Sequence, residues 1–150
     1  MEDSKSATLE HKSEVKRIGA AFVANLRNRI IVHDKSKLKD PEKKILDIYT
    51  KELKGSTYMS EKYKKFLKEM KPGLDHHYAN NDHHPQFFED SVKGMSLLSI
   101  SEMLIDWCAA VRRHADGDIM VSIEKNQERF GYGDELKQIL INTVKELKIG

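Results

Sequence analysis

Apolar residues recur along this chain at intervals of three and four, the spacing that lines them up on one face of an α-helix. From Thr8, which suits an N-cap, Val15, Ile18, Phe22 and Leu26 keep that spacing, and His11 begins the same stripe. Asp40 and Pro41 stand where a cap and a first helical residue are favoured. They open a second helix with Ile45, Leu46, Ile48, Tyr49 and Leu53 inward and Gly55 at its end. Ser60 opens a third, running to about Met70. Pro72 and Gly73 then interrupt the chain, and a fresh short helix is expected in the segment after them. Ser96 caps a helix that turns Leu97, Ile100, Met103, Leu104, Trp107, Cys108 and Val111 inward and ends near His114. Gly117 and Asp118 precede another, closed by Gly131, and the last carries Leu136, Ile139, Leu140, Val144 and Leu147. No segment alternates apolar and polar positions with β-branched residues, and there is neither an internal repeat nor a long linker. The pattern predicts an all-α fold, a single-domain helical bundle over residues 1–150 with a flexible N-terminus over residues 1–7.

Composition narrows the class. At 150 residues, 39% hydrophobic and 33% charged with a net charge of +2, the chain is long enough to bury a core without disulfide or metal staples. Cys108 has no second cysteine to pair with and lies in an apolar run, so a reducing cytoplasm is the expected compartment. The apolar runs fall far short of the roughly 20 residues that span a bilayer, and no signal peptide is expected, which removes a membrane role. Lys35 to Lys71 holds twelve lysines against six acids, a local charge of +6. Arginine and interleaved aromatics are scarce there, so solvated lysine faces are favoured over a nucleic-acid groove, and attraction of an anionic substrate is the weaker functional reading.

Candidate chemistry gathers around the histidines. Four of the seven, His76, His77, His83 and His84, fall within nine residues. Imidazole is costly to bury without a partner and is the commonest side-chain ligand of transition metals. His33 and Asp34 follow Ile30, Ile31 and Val32, a run expected to be buried, so at least one of the pair is expected to point inward, where a charge needs a partner or a metal. A helix-ending turn with a solvated Asp34 explains the doublet as well. Asp106 interrupts an apolar helix beside Trp107, with Glu102 one turn earlier, and a polar stripe facing water accounts for that pair equally.

Taken together, the order His11, His33-Asp34, His77, His83-His84, Asp106 resembles the HD-domain metalloprotein superfamily, including its binuclear and trinuclear members and the HD-GYP phosphodiesterases. In HDKSK, His33, Asp34 and Lys37 occupy the places of the superfamily's HDxxK. More closely, TLEHK, HDKSKL, LDHHYANNDHHPQFF and EMLIDWCAAVRRHADGDI resemble a family of small uncharacterised phage and bacterial proteins, from about Thr8 to Thr143. The resemblance implies an HD-type helical bundle with metal ligands His11, His33, Asp34, His77, His83, His84 and Asp106. It implies one or two divalent transition-metal ions, drawn from Mn, Fe, Co, Ni or Zn. Of each histidine pair His77 and His84 are favoured, with His83 evenly balanced, while His76 and His114 are expected to be exposed or to stand behind the ligands. There are departures: no GYP triplet follows the double histidine, and Pro85-Gln86 replaces the acid of an HHE motif, so cyclic-dinucleotide hydrolysis is not implied.

Spacing sets conditions on that ligand set. On one unbroken helix His11 and His33 would stand about 33 Å apart, so to share an ion the chain must turn back, best at Leu26-Arg27-Asn28-Arg29 or else at Gly19. His77 and His84 on a continuous helix would share a face about 10 Å apart, suited to flanking a pair of ions rather than binding one.

The expected function is metal-dependent hydrolysis of a nucleotide or other small phosphate ester. Asp34 would serve as a central ligand and catalytic group. Lys37 would neutralise phosphoryl oxygens, with Asn81, Arg112 and Arg113 as further substrate contacts. A di-iron oxygenase of HD type and a metal-stabilised helical module that grips nucleic acid or protein are the alternatives.

Overall fold

The computed structural model of the chain describes residues 3–54, 61–113 and 117–149. Gly55, Ser60 and His114, expected to stop, open and end helices, lie outside these. The described elements are all helical, with no strand among them, as the three-and-four spacing predicts. The chain divides into two units, Met1–His33 and Asp34–Gly150.

The first unit is one helix, α1, Ser4–Val32. Its N-cap is Asp3, whose carboxylate accepts the Ser6 N–H at 2.7 Å, so the helix starts a turn before the expected Thr8 cap. No turn occurs at Leu26–Arg29 or at Gly19. Nothing between Asn25 and Val32 breaks a helix locally, and the ladder continues to His33, the C-cap, whose N–H donates to Ile30 O at 3.3 Å. Ile30, Ile31 and Val32, expected to be buried, are exposed.

The second unit holds α2 (Glu42–Lys54), α3 (Glu61–Asn80), α4 (Leu97–Val111), α5 (Ile119–Phe130) and α6 (Asp134–Leu147). Three short 3-10 turns, Lys35–Leu38, Pro85–Phe87 and Ser91–Gly94, join them. α3 is continuous through Pro72 and Gly73, against the expected interruption. Pro72 is exposed, so the carbonyl it leaves without a helical partner faces water. Gly73 is buried against α2, where a Cβ would meet Ile45 Cγ2 at 3.1 Å. The missing side chain lets the two helices approach closely.

The apolar core of this unit is built by α4, α5 and α6, with Leu104, Cys108, Ile119, Ile123, Leu140 and Val144 buried together. Each such aliphatic side chain contributes roughly 1.5–3 kcal/mol by leaving water. Local signals set the element ends as predicted. The Ser96 hydroxyl accepts the Ser99 N–H at 3.1 Å, Asp118 Oδ1 accepts the Met120 N–H at 2.7 Å, and Gly131 closes α5 at φ 67°, a left-handed conformation that glycine adopts without strain. Leu97, Ile139 and Leu147 face solvent rather than the core. Tyr132 follows Gly131 into the interior, donates its hydroxyl to Ile123 O at 2.5 Å, and stacks with Trp107.

Candidate metal centre

Asp34 opens the second unit as the N-cap of the Lys35–Leu38 turn, at φ 55°. Aspartate is one of the few residues that enter this left-handed conformation at modest cost. The turn brings Lys37 back over it. Lys37 N–H donates to Asp34 O at 2.9 Å, and Lys37 Nζ lies 2.6 Å from Asp34 Oδ2. Burial works to raise the Asp34 carboxyl, but the polar contacts it makes with His77, His83 and Lys37 outweigh it and hold the group far below the usual carboxylate range.

His77 lies in the last turn of α3. The helix ends at Asn80, so His83 and His84 sit in the connection after it, and the chain doubles back before Pro85 starts the next turn. His84 is therefore not one helical face further along from His77. Their Nε2 atoms are 2.9 Å apart, and the expected 10 Å separation does not hold. Asp34 Oδ1 lies 3.3 Å from His77 Nε2 and 3.5 Å from His83 Nε2. One donor atom from each of Asp34, His77, His83 and His84 falls within 4.8 Å of the other three. Ligands held about 2.1 Å from a common ion stand about 3.0 Å apart at right angles and about 3.4 Å apart at tetrahedral angles, so the spacing fits a single ion. Burial pushes the His84 imidazole down to about 3, with His83 and His77 adding to the effect and Asp106 opposing it, which keeps a lone pair on the ring at neutral pH. Three imidazoles and a carboxylate suit Mn, Fe, Co, Ni or Zn.

Two buried acids stand behind these rings. Glu42, in the first turn of α2, places Oε2 2.9 Å from His77 Nδ1 and Oε1 2.7 Å from His76 Nδ1. Glu102, on α4, places Oε1 3.2 Å from His83 Nδ1. Burial works to raise the Glu42 carboxyl, but hydrogen bonds from His76, Ser36 and His77 prevail and hold it below its ordinary value. Glu42 is only 1% exposed and was missed as a site residue in the sequence. Its signal is position: Glu42, Ile45, Leu46 and Tyr49 fall at i, i+3, i+4 and i+7, which puts an acid on the apolar stripe of α2.

The chain matches the sequence model of DUF5662, a family of unknown function, over residues 1–147. It belongs to that family. No curated protein and no solved structure matches it. The DUF5662 match takes in α1, Asp34, His77, His83, His84 and both buried acids.

Within this DUF5662 chain the remaining expected site residues take different places. His11 lies on α1 with His33 at the end of the same unbroken helix, about 33 Å away, so those two do not share an ion. Asp106, on α4, brings a carboxylate oxygen within 4.8 Å of a His83 ring nitrogen. Lys37 is half-buried on Asp34 rather than one of the solvated lysines. Asn81, expected to touch substrate, spends its amide inside the protein, donating to Ser36 Oγ and to His77 O, each at 2.8 Å. Arg112 caps α4 and donates to Ile149 O at 3.2 Å, and Arg113 is exposed in the turn beyond. His76 is half-exposed on Glu42.

Proposed function

We propose that this chain holds a divalent transition-metal ion on Asp34, His77, His83 and His84, with Asp106 beside them, and uses it to hydrolyse a nucleotide or another small phosphate ester. The observation that carries this reading is the convergence of four donor atoms within 4.8 Å on one side of the rings, with a buried carboxylate on the opposite nitrogen of two of them. A bound ion of this kind supplies a Lewis acid and a water molecule acidic enough to ionise near neutral pH. The chain does the rest. Asp34 presents Oδ1 to the donor group because Lys37 occupies Oδ2. His84, held neutral by burial, keeps its ligand atom available. Lys37, more than a third exposed, places a cation at the edge of the group where a phosphoryl oxygen would approach. The resemblance of HDKSK and of the ordered histidines to the HD superfamily supports the reaction type.

Elemental analysis of the purified protein, paired with a phosphatase and nucleotide screen across Mn, Fe, Co, Ni and Zn, tests the proposal. Bound metal and phosphate release are the expected result. A tightly held iron pair with oxygen uptake would assign oxygenase chemistry instead, and metal without either activity would leave a metal-stabilised binding module.

A further inference from the structure

We propose that Glu42 is a positioning residue that fixes His77 in the tautomer bearing its proton on Nδ1, so that Nε2 faces Asp34 as a lone pair, and that His76 anchors Glu42 in this task. The inference rests on the metal-site reading above, but its first half concerns the metal-free protein.

Counting donors settles which group His77 Nδ1 serves. Three polar groups crowd this nitrogen: Glu42 Oε2 at 2.9 Å, Asn81 Nδ2 at 3.0 Å and Ser36 Oγ at 3.3 Å. Asn81 has two amide hydrogens, and both have acceptors at 2.8 Å, Ser36 Oγ and His77 O. The Ser36 hydroxyl has one hydrogen, directed to Glu42 Oε2 at 2.9 Å. Neither neighbour has a hydrogen left for His77. A carboxylate only accepts, so the 2.9 Å contact with Glu42 requires the hydrogen to sit on Nδ1. In a neutral ring Nε2 is then the acceptor or ligand atom; it lies 2.9 Å from His84 Nε2, the closer neighbour and the one able to donate to it, and 3.3 Å from Asp34 Oδ1.

The second oxygen explains His76. Glu42 Oε1 accepts from His76 Nδ1 at 2.7 Å, so the carboxylate is gripped at both ends, by two consecutive residues of α3. No neutral isostere can do this. A glutamine has one carbonyl oxygen and one amino group, so in Glu42→Gln either His76 or His77 meets a donor and must turn its ring or move its hydrogen to Nε2.

The test uses the full chain. Long-range ¹H–¹⁵N correlation spectra of metal-free protein report each histidine's tautomer, and competitive titration with Co²⁺ or Zn²⁺ reports affinity. We expect His77 to carry its hydrogen on Nδ1 in the wild type. Glu42→Gln should keep the metal-free melting temperature within a few degrees while weakening metal about 10- to 100-fold. The double variant Glu42→Gln/His76→Ala frees the glutamine carbonyl for His77 and should recover part of the lost affinity. A purely structural Glu42 predicts no such recovery. His77 protonated on Nε2 in the wild type, or wild-type affinity in Glu42→Gln, overturns the proposal. A wild type that binds neither metal, yet shows the Nδ1 tautomer, overturns the metal-site reading and leaves the tautomer assignment standing.

Discussion

His77 and His84 bring their Nε2 atoms to 2.9 Å although seven residues separate them in the chain, because α3 stops at Asn80 and the connection returns over its last turn. Two imidazole nitrogens at this distance either share one hydrogen or share one cation. His77→Ala and His84→Ala are each expected to abolish stoichiometric metal, a larger loss than the roughly 10- to 100-fold that follows removal of a group behind a ligand. Elemental analysis after gel filtration checks it. Full metal content in both variants would exclude this cluster as the binding site.

Chelation should destabilise the protein. An ion present at 100 times its Kd and bound only by the folded state adds about 2.7 kcal/mol. For a chain of this size that corresponds to a fall in Tm on the order of 5–10 °C when the ion is stripped. Thermal melts with and without chelator measure it, and coincident curves would mean that no tightly held ion contributes to folding.

Lys37 and Lys39 are two residues apart, but Lys37 is locked on Asp34 while Lys39 is exposed. Under the hydrolase reading Lys37→Ala should retain the ion at saturating metal and lower kcat about 10²- to 10³-fold, the usual cost of one charge contact to the transition state. Lys39→Ala serves as the control. Equal kcat in the two variants would confine Lys37 to orienting Asp34.

Burial pushes the Tyr132 phenol up to about 12. A group whose folded-state pKa is raised contributes its stability in full below the unfolded value near 10, and that contribution is lost as pH rises from about 10 towards 12. Between pH 9 and pH 11 wild-type stability should therefore fall by about 1 kcal/mol more than that of Tyr132→Phe, which has no hydroxyl to ionise. Urea titrations at pH 9 and pH 11 give the comparison. Parallel losses in both proteins would show that the phenol is not responsible.

The sequence carried the parts of this fold that depend on neighbours within a few residues. Ser96, Asp118 and Gly131 mark helix ends because a cap needs only its own turn. Residue-by-residue periodicity likewise identified α4 and α6. Pro72-Gly73 misled because a proline ends a helix only if its freed carbonyl cannot be satisfied, and exposure at position 72 satisfies it. The expected turn in α1 came from requiring His11 and His33 to meet, a demand the local sequence does not make. Asp34, His77, His83 and His84 were legible as chemistry but not as geometry. The fold-back after Asn80, which turns a 10 Å separation into 2.9 Å, depends on the end of α3. Glu42 was hidden because an acid in a first helical turn is ordinarily a solvated, dipole-favoured residue.

The second unit contains interiors of two kinds. Between α4, α5 and α6 the buried side chains are almost all hydrocarbon, whereas where the ends of α2 and α3 meet the 34–38 turn they are Glu42, His77 and His83. Oily interiors tolerate exchange of one aliphatic residue for another, since volume is nearly all they demand. An interior made of matched donors and acceptors tolerates almost none, because each substitution strands a partner. Chance variation should therefore accumulate quickly around Ile123 and Leu140 and hardly at all around Glu42, so that comparing two distant members of the family would show the outline of the polar interior as a patch of unchanged residues.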